Sequence, residues 1–82
     1  MDKNKIEPIT LEGTILEAME GGFTIMIKPF DPFRTQIITY HEEQKEIYEQ
    51  HLPTDGHIKS RLRDAIKYCM DKVNEKIIEK HK

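Results

Sequence analysis

The side chains best suited to metal binding or catalysis in this 82-residue sequence are four histidines and one cysteine. The histidines form no HxxxH pair on a predicted helix, and none stands beside the cysteine at a spacing that zinc sites use. The sequence also contains neither a GxSxG nucleophile elbow nor a glycine-rich phosphate loop. We therefore expect no metal, no cofactor and no catalytic activity, with the histidines on the surface of loops and helix caps. The five residues are His41, His51, His57, His81 and Cys69.

Two of these histidines flank one predicted loop and define a small-molecule site as the third-ranked hypothesis. His51 and His57 could meet there, with Asp55 between them. Two imidazoles and a carboxylate are a combination that binds small ligands or metals. Cys69 instead lies on the apolar stripe of a predicted helix, where a free cysteine behaves as a small hydrophobic residue. A lone cysteine also excludes an internal disulfide.

Basic residues near aromatic ones form a candidate site for nucleic acid. Lys28 and Arg34 flank an aromatic loop, and Arg61, Arg63 and Lys67 lie in the first half of a C-terminal helix. Such cations can contact phosphates while aromatic rings stack on bases. However, aspartates interleave the basic residues of the helix at helical spacing, which favours ion pairs on a solvated face. The net charge of −2, from 13 basic and 15 acidic residues, also provides no general attraction for nucleic acid.

A proline-stiffened loop with two phenylalanines is the strongest candidate recognition element. Phe30 and Phe33 lie in the segment Pro29–Phe33, whose prolines cannot donate hydrogen bonds to a β-ladder. The rings either fold over the core as a lid or point outward as interface anchors, since aromatic residues are frequent among binding hot spots. The lid is favoured because Phe23 is the only other phenylalanine and the chain has no tryptophan.

The C-terminal region has the clearest periodicity in the sequence. Apolar residues recur there at steps of three and four, which places them on one face of a helix over about 56–80. At 1.5 Å per residue this helix is about 36 Å long, more than a three-stranded sheet covers. We therefore expect Ile77 and Ile78 to fray or to contact a second chain. The apolar stripe consists of Ile58, Leu62, Ala65, Ile66, Cys69, Met70, Val73 and Ile77.

Three upstream segments have the alternation or the β-branched content of strands. They cover about 9–19, 23–28 and 35–39. The first two are joined by Gly21-Gly22, because glycine accepts the positive φ of a hairpin turn. A two-residue turn and a three-residue loop with a glycine bulge give different strand registers. We prefer the second, although it points Glu17 inward unless a further bulge intervenes.

A shorter helix is predicted between the third strand and the long helix. Thr39 and Glu42 have the spacing of a capping box, good helix formers follow, and Pro53 ends the segment, so the helix covers about 40–51. The order β-β-β-α-α predicts a single α+β domain. In it, a three-stranded antiparallel meander is covered by the long C-terminal helix. Residues 1–7 are polar and are expected to be disordered.

One segment resembles part of a known family. The sequence EGGFTIMIKPFDP at residues 20–32 precedes a predicted strand and a later helix that contains Ala65 and Ile66. It resembles the small antitoxin domains of the HicB type, in which a hairpin with a Gly-Gly-aromatic motif precedes a strand and a helix. The resemblance covers about a third of the chain, and the predicted helix over 40–51 departs from it. It implies a nucleic-acid-binding regulator, which we keep as an alternative without assigning the chain to this family.

Length and hydropathy favour a binding role over catalysis. A chain of 82 residues has little material for a deep active site. No signal-peptide core follows the N-terminus, and the apolar runs are shorter than the ~20 residues that cross a bilayer, so we expect a cytoplasmic protein without membrane contact. The leading hypothesis is a small bacterial or phage regulator or inhibitor that binds an unknown protein partner. Homodimerisation through the C-terminal helix is a further expectation, and nucleic-acid binding ranks second. The interface candidates are Phe30, Phe33, Arg34, Ile77 and Ile78.

Overall fold

The computed structural model describes residues 10–80 and shows two layers, a three-stranded antiparallel sheet and two helices packed on one of its faces. The strands pair in sequence order. The predicted α+β meander, with the long C-terminal helix packed on it, is confirmed. The predicted disorder of residues 1–7 lies outside the described residues. The elements are α1 (Leu11–Glu20), β1 (Phe23–Asp31), β2 (Arg34–His41), β3 (Glu46–Pro53) and α2 (Ile58–Lys80).

The first element is a helix, so the predicted strand over 9–19 is wrong. Thr10 caps this helix, and its side-chain oxygen accepts a hydrogen bond from a first-turn backbone N–H at 3.0 Å. Leu11, Ile15 and Ala18 are spaced by four and three residues, so one helical face packs them against the core. The same residues are compatible with strand alternation over part of the segment. Packing against α2 favours the helical conformation of α1 over a strand.

The Gly21-Gly22 pair ends α1 and does not form a hairpin turn. The N–H of Gly21 donates to the carbonyls of Glu17 and Ala18, at 3.1 and 3.0 Å. Gly22 has a φ of 94°, a left-handed conformation that glycine adopts without steric cost. Glu17 is exposed on the helix surface. Neither of the two predicted hairpin registers therefore exists.

β1 is longer than the predicted strand over 23–28 and includes Pro29. Pro29 is paired with Thr35 of β2, and the register shifts between Pro29 and Asp31. β1 is an edge strand, where a proline is tolerated when its nitrogen points away from the neighbouring strand. The predicted recognition loop is therefore reduced to a two-residue turn at Pro32-Phe33.

The predicted helix over 40–51 is wrong, because β2 continues to His41 and the following residues form β3 after a turn. Lys45 ends this turn with a φ of 57°. Tyr48 and Leu52 of β3 pack against the core, whereas Ile47, on the opposite side of the strand, is exposed. Pairing with β2 overrides the helix propensity of the glutamates and lysine in this segment, since propensity is weak beside tertiary contacts.

α2 has the predicted apolar stripe, and every residue of that stripe is buried or packed against the core. The carboxylate of Asp55 accepts a hydrogen bond from the backbone N–H of His57 at 2.9 Å, just before the helix begins. At the other end, Lys80 Nζ donates to Gln44 Oε1 at 2.7 Å. The last turns therefore lie against the β2–β3 turn. Ile77 packs on the core, although it was expected to fray or to contact a second chain. Ile78 is exposed.

The core lies between the sheet and the two helices. Ile37 of β2 and Ile66 of α2 are fully buried in it, together with Cys69. Gln50 of β3 joins the layers through Nε2, which donates to the carbonyl of Ala65 at 3.3 Å. The opposite face of the sheet contacts neither helix in the part of the chain that the structure describes.

Candidate interaction surface on the helix-free face of the sheet

Strand alternation divides the sheet residues between two faces. In β2, Ile37, Thr39 and His41 are buried on the side of the helices, so the residues between them point to the other side. The register of β1 and β3 against β2 extends this assignment across the sheet. We call the other side the helix-free face. It comprises Thr24, Met26, Lys28 and Phe30 of β1, Arg34, Gln36, Ile38 and Tyr40 of β2, and Ile47, Glu49 and His51 of β3.

One half of the helix-free face is apolar. Met26 lies directly opposite Ile38, and Tyr40 lies directly opposite Ile47. Directly opposite residues have Cβ atoms about 4.5–5.5 Å apart, so these four side chains form one continuous surface, which we call the apolar patch. Met26 is 52% exposed and Ile47 is 65% exposed. Large apolar groups therefore remain in contact with water on this face.

The other half is organised around the ring of Phe30. This ring stacks on His51, with 4.0 Å between the ring centroids and 21° between the ring planes. The guanidinium carbon of Arg34 lies 4.9 Å from the centroid of the same ring. Arg34 is also paired with Asp31, at 2.7 Å between Nη2 and Oδ2. We call Phe30, Arg34 and His51 the stacked cluster.

Hydrogen bonds hold the charged side chains around this cluster. Gln36 Nε2 donates to Glu49 Oε2 at 2.6 Å, and His51 Nε2 lies 2.9 Å from the same oxygen. Gln36 first, and His51 second, keep the pKa of Glu49 below its usual value because both stabilise the carboxylate. Arg34 lowers the pKa of Asp31 for the same reason. Hydrogen bonds and ion pairs therefore connect the polar side chains in this half of the face.

Neither predicted interface phenylalanine covers the core, so the favoured lid arrangement is wrong. Phe30 lies on the helix-free face and is 45% exposed. Phe33 is in the β1–β2 turn, 79% exposed, with its N–H bonded to Asp31 Oδ1 at 2.9 Å. The outward-pointing alternative describes both rings.

The five predicted nucleic-acid-binding residues divide between the two layers. Two lie on the helix-free face and three lie on α2. On the helix, Arg61 pairs with Asp55 at 2.9 Å, and Arg63 pairs with Asp64 at 3.1 Å. The five cations therefore do not form one basic stripe. The first two are Lys28 and Arg34, and the other three are Arg61, Arg63 and Lys67.

In the predicted small-molecule site, the side chains of His51 and Asp55 have different partners. His51 is bonded to Glu49 and faces away from the helices. The carboxylate of Asp55 binds Arg61 and the backbone N–H of His57. Within residues 10–80, no group of three histidine, cysteine or acidic side chains is arranged to bind a metal ion.

His41 is buried, although the sequence analysis places it on the surface. Its Nε2 lies 3.0 Å from the carbonyl oxygen of Gly21, and its Nδ1 accepts from the N–H of Gln44 at 3.1 Å. This pair of bonds requires the proton on Nε2, in the neutral tautomer. Phe23 makes an edge contact with the imidazole ring at 4.7 Å. His41 thus joins the α1–β1 connection to the β2–β3 turn. The fourth histidine, His81, lies outside the described residues.

Cys69 is buried in the core, as predicted. Burial raises the pKa of its thiol, and this is partly offset by the Thr39 hydroxyl and the Gln50 amide. A high pKa disfavours the nucleophilic thiolate. The geometry therefore agrees with a packing role for this residue.

The apolar patch is the part of this surface that the sequence analysis missed. Met26 is within a predicted strand, but its partner across the sheet, Ile47, is within the segment predicted as a helix. The signal that could have identified β3 is the alternation of Ile47, Glu49 and His51 with Tyr48 and Leu52.

Comparisons of the chain with protein-family models, with curated proteins and with solved structures gave no match. Neither helix within residues 10–80 combines the length and hydropathy needed to cross a membrane.

Proposed function

We propose that this protein is a non-catalytic regulator or inhibitor that acts by binding another protein through the helix-free face of its sheet. The observation that supports this proposal is the exposed apolar patch on that face. An antiparallel sheet with one solvated face usually has polar side chains on that face. Contiguous exposed apolar side chains with a polar rim are typical of interaction surfaces.

The composition of the helix-free face fits a protein interface. Such interfaces have an apolar centre, a polar rim and an excess of aromatic and arginine residues. The apolar patch provides the centre, and the stacked cluster provides an arginine and an aromatic ring, the types that dominate binding hot spots. Because the cluster is held by ion pairs and stacking in the free protein, less side-chain entropy is lost when a partner binds.

The charges on this face favour a protein over a nucleic acid. Lys28 and Arg34 lie close to Asp31 and Glu49, so positive and negative groups alternate and no extended positive field results.

The second candidate function is nucleic-acid binding. It is supported by Lys28 and Arg34, which lie on the same face as the exposed ring of Phe30. Binding of single-stranded RNA or DNA at low salt that is lost in Lys28→Glu would favour it, since phosphate contacts are strongest at low salt.

A matched pair of substitutions tests the proposed protein-binding face. Ile47 and Ile78 are the same residue type and are 65% and 61% exposed, but Ile47 lies on the apolar patch and Ile78 lies on α2. The immobilised chain is used to capture partners from an extract of cells that produce it. We expect Ile47→Lys to reduce capture at least about tenfold, a loss of about 1.4 kcal/mol of binding free energy. Phe30→Ala is expected to reduce it less.

Ile78→Lys is the control and also tests the predicted interface on the C-terminal helix. The proposal requires that Ile78→Lys captures as well as the unchanged protein. Loss of capture in Ile78→Lys, with no loss in Ile47→Lys, would assign the interface to α2 instead. Both variants are expected to keep their stability within about 0.5 kcal/mol, because exposed positions tolerate substitution.

A further inference from the structure

The two edges of the sheet differ in how they are protected against pairing. β3 has Glu46, Glu49 and His51 along its length and ends at Pro53. Charges and proline are the devices by which natural sheet edges avoid pairing with another chain. β1 has such residues only in its second half, where Lys28 precedes Pro29 and Asp31 ends the strand. The first half, Phe23–Ile27, contains neither a charge nor a proline.

The backbone of this unprotected half points its hydrogen-bonding groups outward at alternate residues. Pro29 is paired with β2 yet has no N–H, so its nitrogen must face away from β2. Residues of the same parity along a strand direct their N–H and C=O to the same side in an antiparallel ladder. It follows that Phe23, Ile25 and Ile27 direct both groups away from β2, toward the open edge.

An apolar groove runs along the same edge, between α1 and β1. It has a volume of ≈ 470 Å³. Met19 from the helix is 58% exposed beside it, and Ile27 from the strand is 41% exposed. Within residues 10–80, the edge therefore presents backbone donors and acceptors that pair with no other strand, together with exposed apolar side chains. The groove is lined by Ile15, Met19, Phe23, Thr24, Ile25 and Ile27.

We propose that a second copy of this chain pairs with β1, antiparallel, around a two-fold axis at Ile25, so that the two sheets become one six-stranded sheet. In this register Phe23 of one copy lies opposite Ile27 of the other. Both residues direct their backbone N–H and C=O groups toward the edge, so the N–H groups of each copy can donate to the C=O groups of the other. The two grooves then meet across the axis, and the exposed Met19 and Ile27 side chains cover one another.

The segment is self-complementary, which is the reason for choosing a second copy as the occupant. Phe23, Ile25 and Ile27 place apolar side chains at symmetric positions about Ile25. Lys28 falls opposite Gly22 of the second copy, so two lysines do not face each other. A symmetric interface of this kind uses the same surface patch on both subunits.

The dimensions of the edge predict a weak dimer. The register pairs the five residues Phe23–Ile27, at about 3.3 Å each, so the shared edge is about 17 Å long, and the molecule is 16 Å across in its thinnest direction. The projected contact is therefore roughly 270 Å² per copy, below the size of standard specific interfaces. We expect a dimer that dissociates in the micromolar range or above. This dimer forms at the edge of the sheet that borders the proposed partner-binding face, and it differs from the predicted association through Ile77 and Ile78.

The first test is sedimentation of the full chain over a concentration series from about 10 μM to 1 mM, a range that brackets weak association. The mass should rise from that of the 9.7 kDa monomer toward twice that value. Ile27→Lys should weaken dimerisation at least tenfold, because an inward-pointing charge blocks edge pairing. Ile47→Lys and Ile78→Lys are the controls and should dimerise as the unchanged protein does. Circular dichroism checks that each variant is folded.

The second test fixes the register and uses only surface positions, so it does not depend on how Ile27→Lys folds. Thr24 of one copy lies opposite Met26 of the other, in a pair whose Cα atoms are close enough for a disulfide. Under mild oxidation, a mixture of Thr24→Cys and Met26→Cys should give the mixed disulfide dimer in large excess over the two symmetric dimers. Cys69 is present in both variants, but it is buried and is therefore not expected to form cross-links.

Four results would overturn the proposal. A chain that stays monomeric at 1 mM has no such dimer. Dimerisation lost in Ile78→Lys and kept in Ile27→Lys would place the contact on α2. A monomer in which the amide hydrogens of Ile25 and Ile27 are protected from exchange would show that another segment of the same chain covers the edge. Cross-links formed equally by all cysteine pairs would exclude the proposed register.

Discussion

The two faces of the sheet differ more than their shared strands suggest. Ile37 and Ile38 are consecutive residues of β2, yet Ile37 is fully buried beneath the helices and Ile38 is partly exposed on the helix-free face. Successive side chains in a strand point to opposite sides, so one strand serves two surfaces with different requirements. The covered face holds the fold together, and the helix-free face is the one that we propose for binding.

The polar groups of the two faces differ in the same way. On the covered side, His41 bonds to backbone groups outside its own strand, and Gln50 bonds to the Ala65 carbonyl and the Cys69 thiol of α2. These bonds fix how the elements pack. On the helix-free side, Arg34, Glu49 and His51 bond to neighbouring side chains and keep exposed surface. Backbone partners tie a group into the fold, whereas side-chain pairs at the surface contribute little stability and leave groups accessible.

The largest expected effect comes from truncating the two consecutive isoleucines. Ile37→Ala should destabilise the protein by about 2–4 kcal/mol, because it removes buried methylene groups and leaves a cavity. Ile38→Ala should cost about 1 kcal/mol or less, because its side chain is only partly covered by cross-strand neighbours. Urea denaturation of both variants measures the difference. Equal losses would mean that the two faces contribute alike to stability.

A smaller effect is expected where α1 joins the covered face. Gly22→Ala should cost about 1–2 kcal/mol, since the residue has a φ of 94° and a new Cβ would lie 3.3 Å from His41 Nε2. Gly21→Ala is the matched control, because Gly21 has a φ of −85° and its nearest new neighbour would be 3.5 Å away. We expect a change within about 0.5 kcal/mol there, by thermal denaturation. A similar loss at both positions would contradict the conformational explanation.

Replacing one buried hydroxyl should stabilise the covered face. Thr39 is fully buried, and among the described residues its Oγ1 has no partner stronger than the Cys69 thiol, which forms only weak hydrogen bonds. Thr39→Val should therefore raise stability by up to about 1 kcal/mol, because a poorly satisfied polar group is removed while the shape is kept. Thr35→Val should have the opposite sign, since Thr35 Oγ1 lies 2.6 Å from Thr54 Oγ1. Calorimetric midpoints that fall in both variants would contradict this prediction.

The smallest effect concerns a charge pair at the margin of the helix-free face. Hydrogen bonding to Arg34, more than the Phe33 N–H, lowers the pKa of Asp31 below its ordinary 3.8. A lowered pKa in the folded state adds stability above the ordinary pKa, and this contribution is lost as the pH falls through the lower, folded value. An NMR titration of the Asp31 carboxyl should show its midpoint below 3.8. Arg34→Ala should move this midpoint up, and an unchanged midpoint would contradict the assigned cause.

The contrast between the faces also explains which parts of the fold were predictable. The stripe on α2 was identified residue by residue, and Cys69 was assigned to the core, because a long helix with one buried face repeats the same signal many times. α1 and β3 were each assigned to the wrong class. Both are short, and β3 is solvated on one face and rich in helix-forming residues, so local propensity opposed the structure.

The candidate site was predictable only in part. Phe30, Phe33 and Arg34 were identified as interface candidates from the composition of one segment. The apolar patch was missed because it combines residues from three strands, one of them assigned as a helix. Pro29 was predicted to lie in a loop, but it belongs to β1. A proline is incompatible with a central strand but is tolerated in an edge strand.

The sequence by itself determined the α2 helix, the buried position of its cysteine and the strands β1 and β2, because these follow from periodicity and β-branched content within single segments. Only the tertiary structure decided that Leu11–Glu20 is a helix, that Glu46–Pro53 is a strand and that both helices lie on the same face of the sheet. The physical reason is that short segments have nearly equal free energies as helix or strand, and contacts with distant residues select between them.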